Sequence, residues 1–249
     1  LVQTAFERAE DKETVAGARE FLQICRWGSP LVDDQGEFPN GLHFVSSSPP
    51  QIRETLHRKL ILDRIDWGSD TFKDQSYNLI KGRLSLLKNH IAYKSLAIFE
   101  ILHNFPKGRE FVLVGDNAEF DVFIYVGLRN YLAGGFDLDQ YMNYLNVAVD
   151  DKMVTDSLRQ IFAHKPSVEI DHILIREAPG YSAFSPMIFS EGVLFFRNYF
   201  ESAVAMYEAS IFGFSSLLWL VVTLHNDYGM ALKPMALNLE ILARENSKD

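Results

Sequence analysis

Four polar residues in the first half of the chain have the types and order that phosphoryl-transfer chemistry requires: Ser46, Lys94, Asp116 and Asp121. An Asp just after a strand is exposed and can bind Mg²⁺, which prefers oxygen ligands. A second carboxylate five residues later can bind the same ion or hold the first ligand in place. A Ser hydroxyl can bind a phosphate oxygen, and a Lys ammonium can neutralise charge on the transferred group. Together they predict an electrostatic cradle for a phosphate.

Each of these residues also has an ordinary structural interpretation. The stretch 46–48 (Ser-Ser-Ser) is typical of a helix cap, and Gly115-Asp116-Asn117 is typical of a turn. Asp121 suits the first turn of a helix, where the macrodipole stabilises a carboxylate. Lys94 alone is typical of a solvated side chain. The prediction therefore depends on the order and spacing of the four residues together.

The elements that must position them alternate between strand and helix. Apolar runs predict buried strands at 41–45, 111–114 and 170–176, so that Ser46 and Asp116 follow strand ends. Periodic apolar residues predict helices at 16–25, 49–60, 94–105, 121–131 and 191–210, and residues 66–88 are predicted as loop with partial helix. Such alternation favours an α/β fold with a mainly parallel sheet, in which ligands bind at the carboxyl ends of the strands.

The character of the sequence changes near residue 178, where Ala178-Pro-Gly180 interrupts the alternation. We predict an α/β domain over residues 1–178 and a mostly helical C-terminal extension over 179–249. Within the extension, residues 209–224 carry no charge but fall short of the roughly 20 residues that span a bilayer. They are interpreted as a buried core helix or a strand-helix pair, with contact to a membrane surface or partner as the alternative.

Composition narrows the class of protein. The chain has 249 residues, 47% of them hydrophobic, which suffices for one substantial core or a core with a subdomain. Its formal net charge of −9 argues against a nucleic-acid partner. One cysteine excludes a disulfide framework and a multi-cysteine zinc site.

The chain starts at Leu1 without a signal-peptide pattern, and we expect a segment upstream of it. A cytoplasmic or peripheral membrane location is favoured.

Three stretches resemble the catalytic domain of phosphatidate phosphatases of the actin-patch-associated type, which is related to the lipin catalytic domain. They are His43-Phe-Val-Ser-Ser-Ser-Pro49, the helix that starts at Lys94 and ends in Phe105-Pro106, and Phe111-Val-Leu-Val-Gly-Asp-Asn-Ala-Glu-Phe-Asp121 with Ile124-Tyr125. Thr14-Val-Ala-Gly17 and Ile173-Leu-Ile-Arg176 resemble the family more weakly. The resemblance extends over about residues 5–176.

The resemblance implies a three-layer α/β sandwich of the haloacid-dehalogenase-like (HAD-like) type and Mg²⁺-dependent hydrolysis of a phosphorylated small molecule or lipid phosphate. By this resemblance, Ser46 is the second-motif hydroxyl that holds the phosphate and Lys94 is the third-motif lysine. Asp116 is the fourth-motif Mg²⁺ ligand, and Asp121 supports it at the metal. Contact with the membrane periphery is compatible with a lipid substrate.

Three departures from the family pattern bear on activity. The Asp-x-Asp-x-Thr motif, which carries the covalent nucleophile of the family, does not precede Thr14. We therefore expect the chain to lack its nucleophile segment and to be inactive by itself. Asn117 stands where the family has Ser, and Val122 where it has Pro. Asn still donates and accepts hydrogen bonds, whereas losing Pro leaves the start of the helix less fixed.

Two other functions remain open on the sequence. A non-catalytic HAD-like module for binding or scaffolding is consistent with the missing motif. A small-molecule enzyme of another α/β type is disfavoured, because the sequence has no Gly-rich phosphate loop, no Gly-Lys-Ser/Thr motif and no Gly-x-Ser-x-Gly elbow.

Overall fold

The computed structural model describes residues 13–30, 39–48, 50–72, 90–149, 152–180 and 192–245. It confirms a mixed α/β fold with parallel sheets, followed by a mostly helical C-terminal region. The chain divides into two compact units. We call residues 43–54 and 69–197 the sheet unit, and residues 1–42, 55–68 and 198–249 the helical unit.

The sheet unit contains every strand of the described chain. Its strands are β1 (His43–Ser46), β2 (Ser69–Phe72), β3 (Glu110–Asp116), β4 (Glu169–Arg176) and β5 (Val193–Phe196). β1 pairs in parallel with β2, while β3, β4 and β5 form a second, fully parallel sheet in that order. The strands predicted at 41–45, 111–114 and 170–176 are confirmed as β1, β3 and β4, with shifted ends.

Four helices of the sheet unit enclose its hydrophobic core. They are α3 (His90–His103), α4 (Asp121–Ala133), α5 (Leu138–Val149) and α6 (Lys152–Phe162). At the centre, the rings of Tyr131 and Tyr141 stack with centroids 4.7 Å apart, and Phe162 meets Tyr141 edge-on at 5.2 Å. The helices predicted at 94–105 and 121–131 are confirmed as α3 and α4, with shifted ends.

The helical unit joins residues from both ends of the chain. It contains α1 (Ala18–Trp27), α7 (Tyr199–Glu208), α8 (Phe214–Asn226) and α9 (Leu232–Glu245). Helix α2 (Arg53–Leu62) follows the 3-10 turn Pro50–Ile52, and its residues from Thr55 onward belong to this unit. Phe21 of α1 is fully buried between Tyr199 and Phe212, with ring centroids 5.3 and 5.4 Å away. The predicted helices at 16–25 and 49–60 are confirmed as α1 and α2.

Gly17 permits the close approach of α1 to α7 and α8. Its φ of 81° lies in the left-handed region, which disfavours other residues. A Cβ on Gly17 would lie 2.9 Å from Cδ2 of Leu224 and 3.0 Å from Cβ of Tyr199, closer than carbon atoms pack. Glycine is therefore required at this position both for its backbone conformation and for its lack of a side chain.

The prediction of one helix over 191–210 is wrong at its start. Residues 193–196 form strand β5, and the helix α7 begins only at Tyr199. The run Val-Leu-Phe-Phe has high strand propensity, and Asn198 caps α7 by accepting a hydrogen bond from the backbone N–H of Glu201 at 3.0 Å. Residues 69–72, predicted as loop or helix, form β2 because they pair with β1. The remainder of that predicted segment, 73–88, lies outside the described residues.

The predicted division at residue 178 stays a prediction about sequence domains. In the structure, β5 follows residue 178 yet pairs with β4, and α1 packs with the C-terminal helices α7 and α8. The segment 209–224, predicted as core, falls largely in α8, which buries one face and exposes the other. None of the described helices is long and apolar enough to cross a membrane.

A buried carboxylate links α1 to the turn after α8. The Glu20 side chain is 1% exposed, pairs with the Arg19 guanidinium at 2.5 Å and accepts hydrogen bonds from the Tyr228 hydroxyl at 3.1 and 3.3 Å. Burial and the negative charge of Glu20 raise the pKa of Tyr228, so its hydroxyl remains a donor at neutral pH. Because a buried charge is costly without partners, these contacts stabilise the helical unit.

Substituting Tyr228→Phe should lower the free energy of unfolding of the helical unit by about 1.5–3 kcal/mol, because it removes a hydrogen bond to a buried charge. The three tryptophans, Trp27, Trp67 and Trp219, all lie in this unit. Their fluorescence during urea denaturation therefore reports on its unfolding.

Tyr207→Phe is the matched control, because Tyr207 contacts Phe214 through its ring and its hydroxyl has no hydrogen-bond partner among the described residues. Its stability should stay within about 0.5 kcal/mol of wild type. Equal midpoints for the two variants would contradict a stabilising role for the Glu20 contacts.

Candidate functional site

The candidate site lies at the carboxyl edge of the three-stranded sheet. β3 and β4 are parallel and end in register, with Asp116 directly opposite Arg176. Because neighbouring parallel strands lie less than about 5 Å apart, the two side chains start from adjacent backbones at the same edge. The prediction that Asp116 follows a strand is confirmed to within one residue, since Asp116 is the last residue of β3.

Asp116 presents a carboxylate that reaches solvent. Its side chain is 35% exposed. Oδ1 accepts a hydrogen bond from the backbone N–H of Ala118 at 3.0 Å, and Oδ2 lies 4.0 Å from Nη2 of Arg176. The first contact holds the carboxylate in a turn, while the second is too long for a hydrogen bond. Oδ2 is therefore the oxygen that is open to a ligand.

Asp121 and Lys94 form a buried ion pair behind Asp116. Their side chains are 7% and 9% exposed, and Nζ of Lys94 donates to Oδ1 of Asp121. Oδ2 of Asp121 accepts a hydrogen bond from the backbone N–H of Asp116 at 3.3 Å. Both oxygens of Asp121 are thus held by the protein, and its supporting role at the metal stays a prediction.

Glu119 completes the environment of Lys94. Its Oε2 lies 3.2 Å from Nζ of Lys94, and its side chain is half exposed. Burial alone would lower the pKa of Lys94, but the Asp121 and Glu119 carboxylates outweigh this effect and raise it. Burial raises the pKa of Asp121, and Lys94 acts against this rise. Lys94 therefore retains its positive charge at the edge of the sheet.

Gly115 is required by the position of Asp121. A Cβ built on Gly115 would overlap the Asp121 carboxylate and lie 2.7 Å from its Cβ. The glycine before Asp116 thus has a steric cause, since the first residue of the following helix lies against the strand at this point. The hydroxyl of Tyr125 also links α4 to β3, because it donates a hydrogen bond to the carbonyl of Val114 at 3.2 Å.

Asn117 fixes the ends of β3 and β4 to each other. Its backbone N–H donates to the carbonyl of Arg176 at 3.1 Å, and its side-chain Oδ1 accepts from the backbone N–H of Ala178 at 2.7 Å. The side chain is buried, and its Nδ2 has no hydrogen-bond partner among the described residues. Asn117 therefore positions the backbone around the site.

Ser46 lies at the end of β1, in the other sheet of the same unit. Its Oγ accepts a hydrogen bond from the backbone N–H of Ser48 at 3.2 Å, which is the turn-forming contact expected of a Ser cluster. Within the described chain, Lys94, Asp116 and Asp121 are joined by hydrogen bonds, and Ser46 makes none to them. The role of Ser46 as a phosphate ligand stays a prediction.

The sequence prediction did not assign a role to Glu119 or Arg176. Arg176 was placed at the end of a predicted strand, but only strand register brings it opposite Asp116. Glu119 occupies a turn, where exposed carboxylates are common, and only the position of Lys94 gives it a partner. Their proximity to the site carries no signal in the linear sequence beyond the strand ends themselves.

Metal-binding capacity at this edge rests on Asp116. Among the described residues, no group of three or more His, Cys, Asp or Glu could hold a metal ion. Mg²⁺ usually takes one or two carboxylates together with water and substrate phosphate oxygens, so that such a group is not needed. One accessible carboxylate oxygen, with a second carboxylate fixed behind it, fits this mode of binding.

Comparison with known proteins supplies the family. No curated protein and no solved structure matches the chain significantly. Residues 1–134, more than half of the chain, match the sequence model of the family described as phosphatidate phosphatase APP1, catalytic domain. The match confirms the resemblance carried by the Ser46, Lys94 and Asp116 stretches, and it implies an activity of the phosphatidate phosphatase type on a lipid phosphate. The chain therefore belongs to the family of APP1-type phosphatidate phosphatase catalytic domains.

Proposed function

We propose that the protein is a Mg²⁺-dependent phosphomonoester hydrolase that acts on a lipid phosphate of the phosphatidate class. The observation that carries the proposal is the placement of Asp116 at the strand edge, directly beside the buried Lys94–Asp121 pair. A fixed carboxylate and a fixed ammonium, held without rearrangement, suit the charge that develops during phosphoryl transfer.

In this proposal, Oδ2 of Asp116 holds Mg²⁺ and Asp121 keeps Asp116 and Lys94 in place. Mg²⁺ supplies charge neutralisation and orientation for the phosphate oxygens when it is bound. Lys94 retains a charged ammonium next to the site, because two carboxylates face it. Ser46 binds a phosphate oxygen once substrate is present.

The proposed reaction has two steps. An aspartate carboxylate attacks phosphorus and forms an aspartyl-phosphate as the alcohol leaves, and water then hydrolyses this intermediate to release phosphate. The 249 residues contain no Asp-x-Asp-x-Thr motif. The proposal therefore assigns the nucleophile to a residue other than Asp116 or Asp121, supplied by the full-length protein.

The competing function is a non-catalytic HAD-like module for binding or scaffolding. It keeps the same fold and the same Lys94–Asp121 pair, since a buried ion pair also fixes a structure without catalysis. The two functions differ in one measurable respect, which is Mg²⁺-dependent release of phosphate by the full-length protein.

We further propose peripheral membrane contact through one face of α8. Phe214, Leu218 and Val222 follow a helical spacing of four and are 59%, 41% and 45% exposed. Helix α8 contains no Asp, Glu, Lys or Arg. An exposed apolar stripe on an uncharged helix suits the interface of a bilayer, in which a lipid phosphate resides.

Substituting Asp116→Asn in the full-length protein should lower kcat/KM for phosphatidate by at least about 100-fold, because it removes the charged metal ligand. Released phosphate is measured with and without EDTA, and wild-type hydrolysis should stop when the metal is removed. Asp171→Asn is the control, because Asp171 is exposed near the opposite end of the same sheet. Unchanged turnover in Asp116→Asn would reject this assignment, whereas an inactive wild-type protein would favour the scaffold.

Substituting Asp121→Asn should destabilise the sheet unit by roughly 3–5 kcal/mol, because it leaves the buried Lys94 ammonium with only the half-exposed Glu119. Asp116→Asn should stay within about 0.5 kcal/mol of wild type. Urea denaturation is followed by far-UV circular dichroism, since the tryptophans lie in the other unit. Equal stability of the two variants would show that Asp121 does not hold the site together.

Substituting Leu218→Asp should lower the partition of the protein onto vesicles about tenfold, because it places a charge in the apolar stripe. Flotation with vesicles of phosphatidylcholine and phosphatidate measures the bound fraction. Ile61→Asp on α2, at a position that is 67% exposed, adds the same charge elsewhere in the unit. Equal binding by wild type and Leu218→Asp would exclude the α8 stripe as the contact.

A further inference from the structure

The guanidinium of Arg176 lies beside the candidate site, and its N–H donors make no hydrogen bond to the described protein groups. Its Nη2 lies 4.0 Å from Oδ2 of Asp116, beyond hydrogen-bond distance. In the part of the chain that the structure describes, no side chain or carbonyl accepts a hydrogen bond from this guanidinium. Its side chain is 25% exposed, so that the donors are partly desolvated yet reachable.

Three other arginines of the sheet unit use their guanidinium donors within the protein. Arg129 donates to the carbonyl of Gly192 at 2.7 Å, and Arg197 donates to Oε2 of Glu177 at 3.0 Å. Arg53 pairs with Asp70 at 2.8 Å. Arg176 therefore differs from them in having donors that no described protein group uses.

The backbone on both sides of Arg176 is held firmly. Its carbonyl accepts from the backbone N–H of Asn117 at 3.1 Å, and the next N–H, of Glu177, donates to the carbonyl of Phe196 at 2.7 Å. The Asn117 side chain ties down Ala178 as well. A side chain on such a rigid backbone loses little conformational entropy when it binds a ligand, which favours a role in ligand recognition.

The charged side chains around the site favour an additional cation when a phosphate binds. Asp116, Asp121 and Glu119 contribute three carboxylates, and Lys94 is the ammonium that pairs with two of them. A phosphomonoester brings up to two further negative charges. Arg176 is the cation beside Asp116, and its planar fork of donors matches phosphate geometry better than an ammonium does.

We propose that Arg176 binds the non-bridging oxygens of the substrate phosphate and thereby selects dianionic phosphomonoesters over singly charged phosphodiesters. This assignment rests on the proposed function, since it places the substrate phosphate at Asp116. Arg176 is a substrate-binding residue in this role. It takes no part in proton transfer or nucleophilic attack.

The test compares Arg176→Gln, Arg176→Lys and Arg197→Gln in the full-length protein with phosphatidate and Mg²⁺. Arg176→Gln should raise KM and the inhibition constant of inorganic phosphate by about 10- to 100-fold, with a smaller change in kcat. Arg176→Lys should recover part of this loss, because it restores the charge without the fork. Arg197→Gln should stay within about twofold of wild type, because it removes an exposed ion pair one strand further from Asp116.

Two results would overturn the proposal. One is an unchanged KM and phosphate inhibition constant in Arg176→Gln. The other is a fall in kcat alone, which would show that Arg176 acts on Asp116 and not on the substrate.

Calorimetric titration with inorganic phosphate in the presence of Mg²⁺ separates this proposal from the proposed function. If wild type binds phosphate without hydrolysing phosphatidate, weaker binding by Arg176→Gln upholds the assignment although catalysis fails. If both proteins bind phosphate equally, the assignment fails whether or not Asp116 proves essential for hydrolysis.

Discussion

The buried ion pair between Lys94 and Asp121 is the constraint on which the candidate site depends. Lys94 lies in α3, Asp121 opens α4, and the second oxygen of Asp121 binds the backbone of Asp116 at the end of β3. Three elements therefore meet at a single carboxylate. Because either charge would be costly if buried alone, the pair persists only with both partners present. Gly115 follows from it, since the carboxylate occupies the space of a side chain there.

Parallel register then determines what faces Asp116. A parallel sheet aligns the carboxyl ends of its strands, and here β3 and β4 end together at Asp116 and Arg176. Asn117 fixes both ends by bonding to the carbonyl of Arg176 and the N–H of Ala178. The arrangement places a solvent-accessible carboxylate, an ammonium and a guanidinium on fixed backbone, as charge-stabilising chemistry requires. The local turn holds the Asp116 carboxylate in place, and the register of the parallel strands determines that Arg176 lies opposite it.

The helical unit is built differently, because segments that are far apart in the sequence form its core. Helix α1 reaches α7 and α8 closely because Gly17 has no side chain, and Glu20 is buried because Tyr228 and Arg19 satisfy it. A boundary drawn from composition groups neighbours along the chain. Packing instead groups surfaces that bury each other, so residues before 43 and after 197 share a unit although the whole sheet unit separates them in sequence.

The sequence by itself determined the α/β class, strands β1, β3 and β4, the helices α3 and α4, and the placement of Asp116 and Asp121 at an element boundary. These features depend on short-range patterns, such as an apolar run ended by Gly-Asp-Asn, and on motifs that match the family over residues 1–134. Only the tertiary structure decided that Val193–Phe196 is a strand, that Glu119 pairs with Lys94 and that Arg176 faces Asp116. Strand pairing and ion pairing over 20 or more residues depend on packing, which local propensity does not determine.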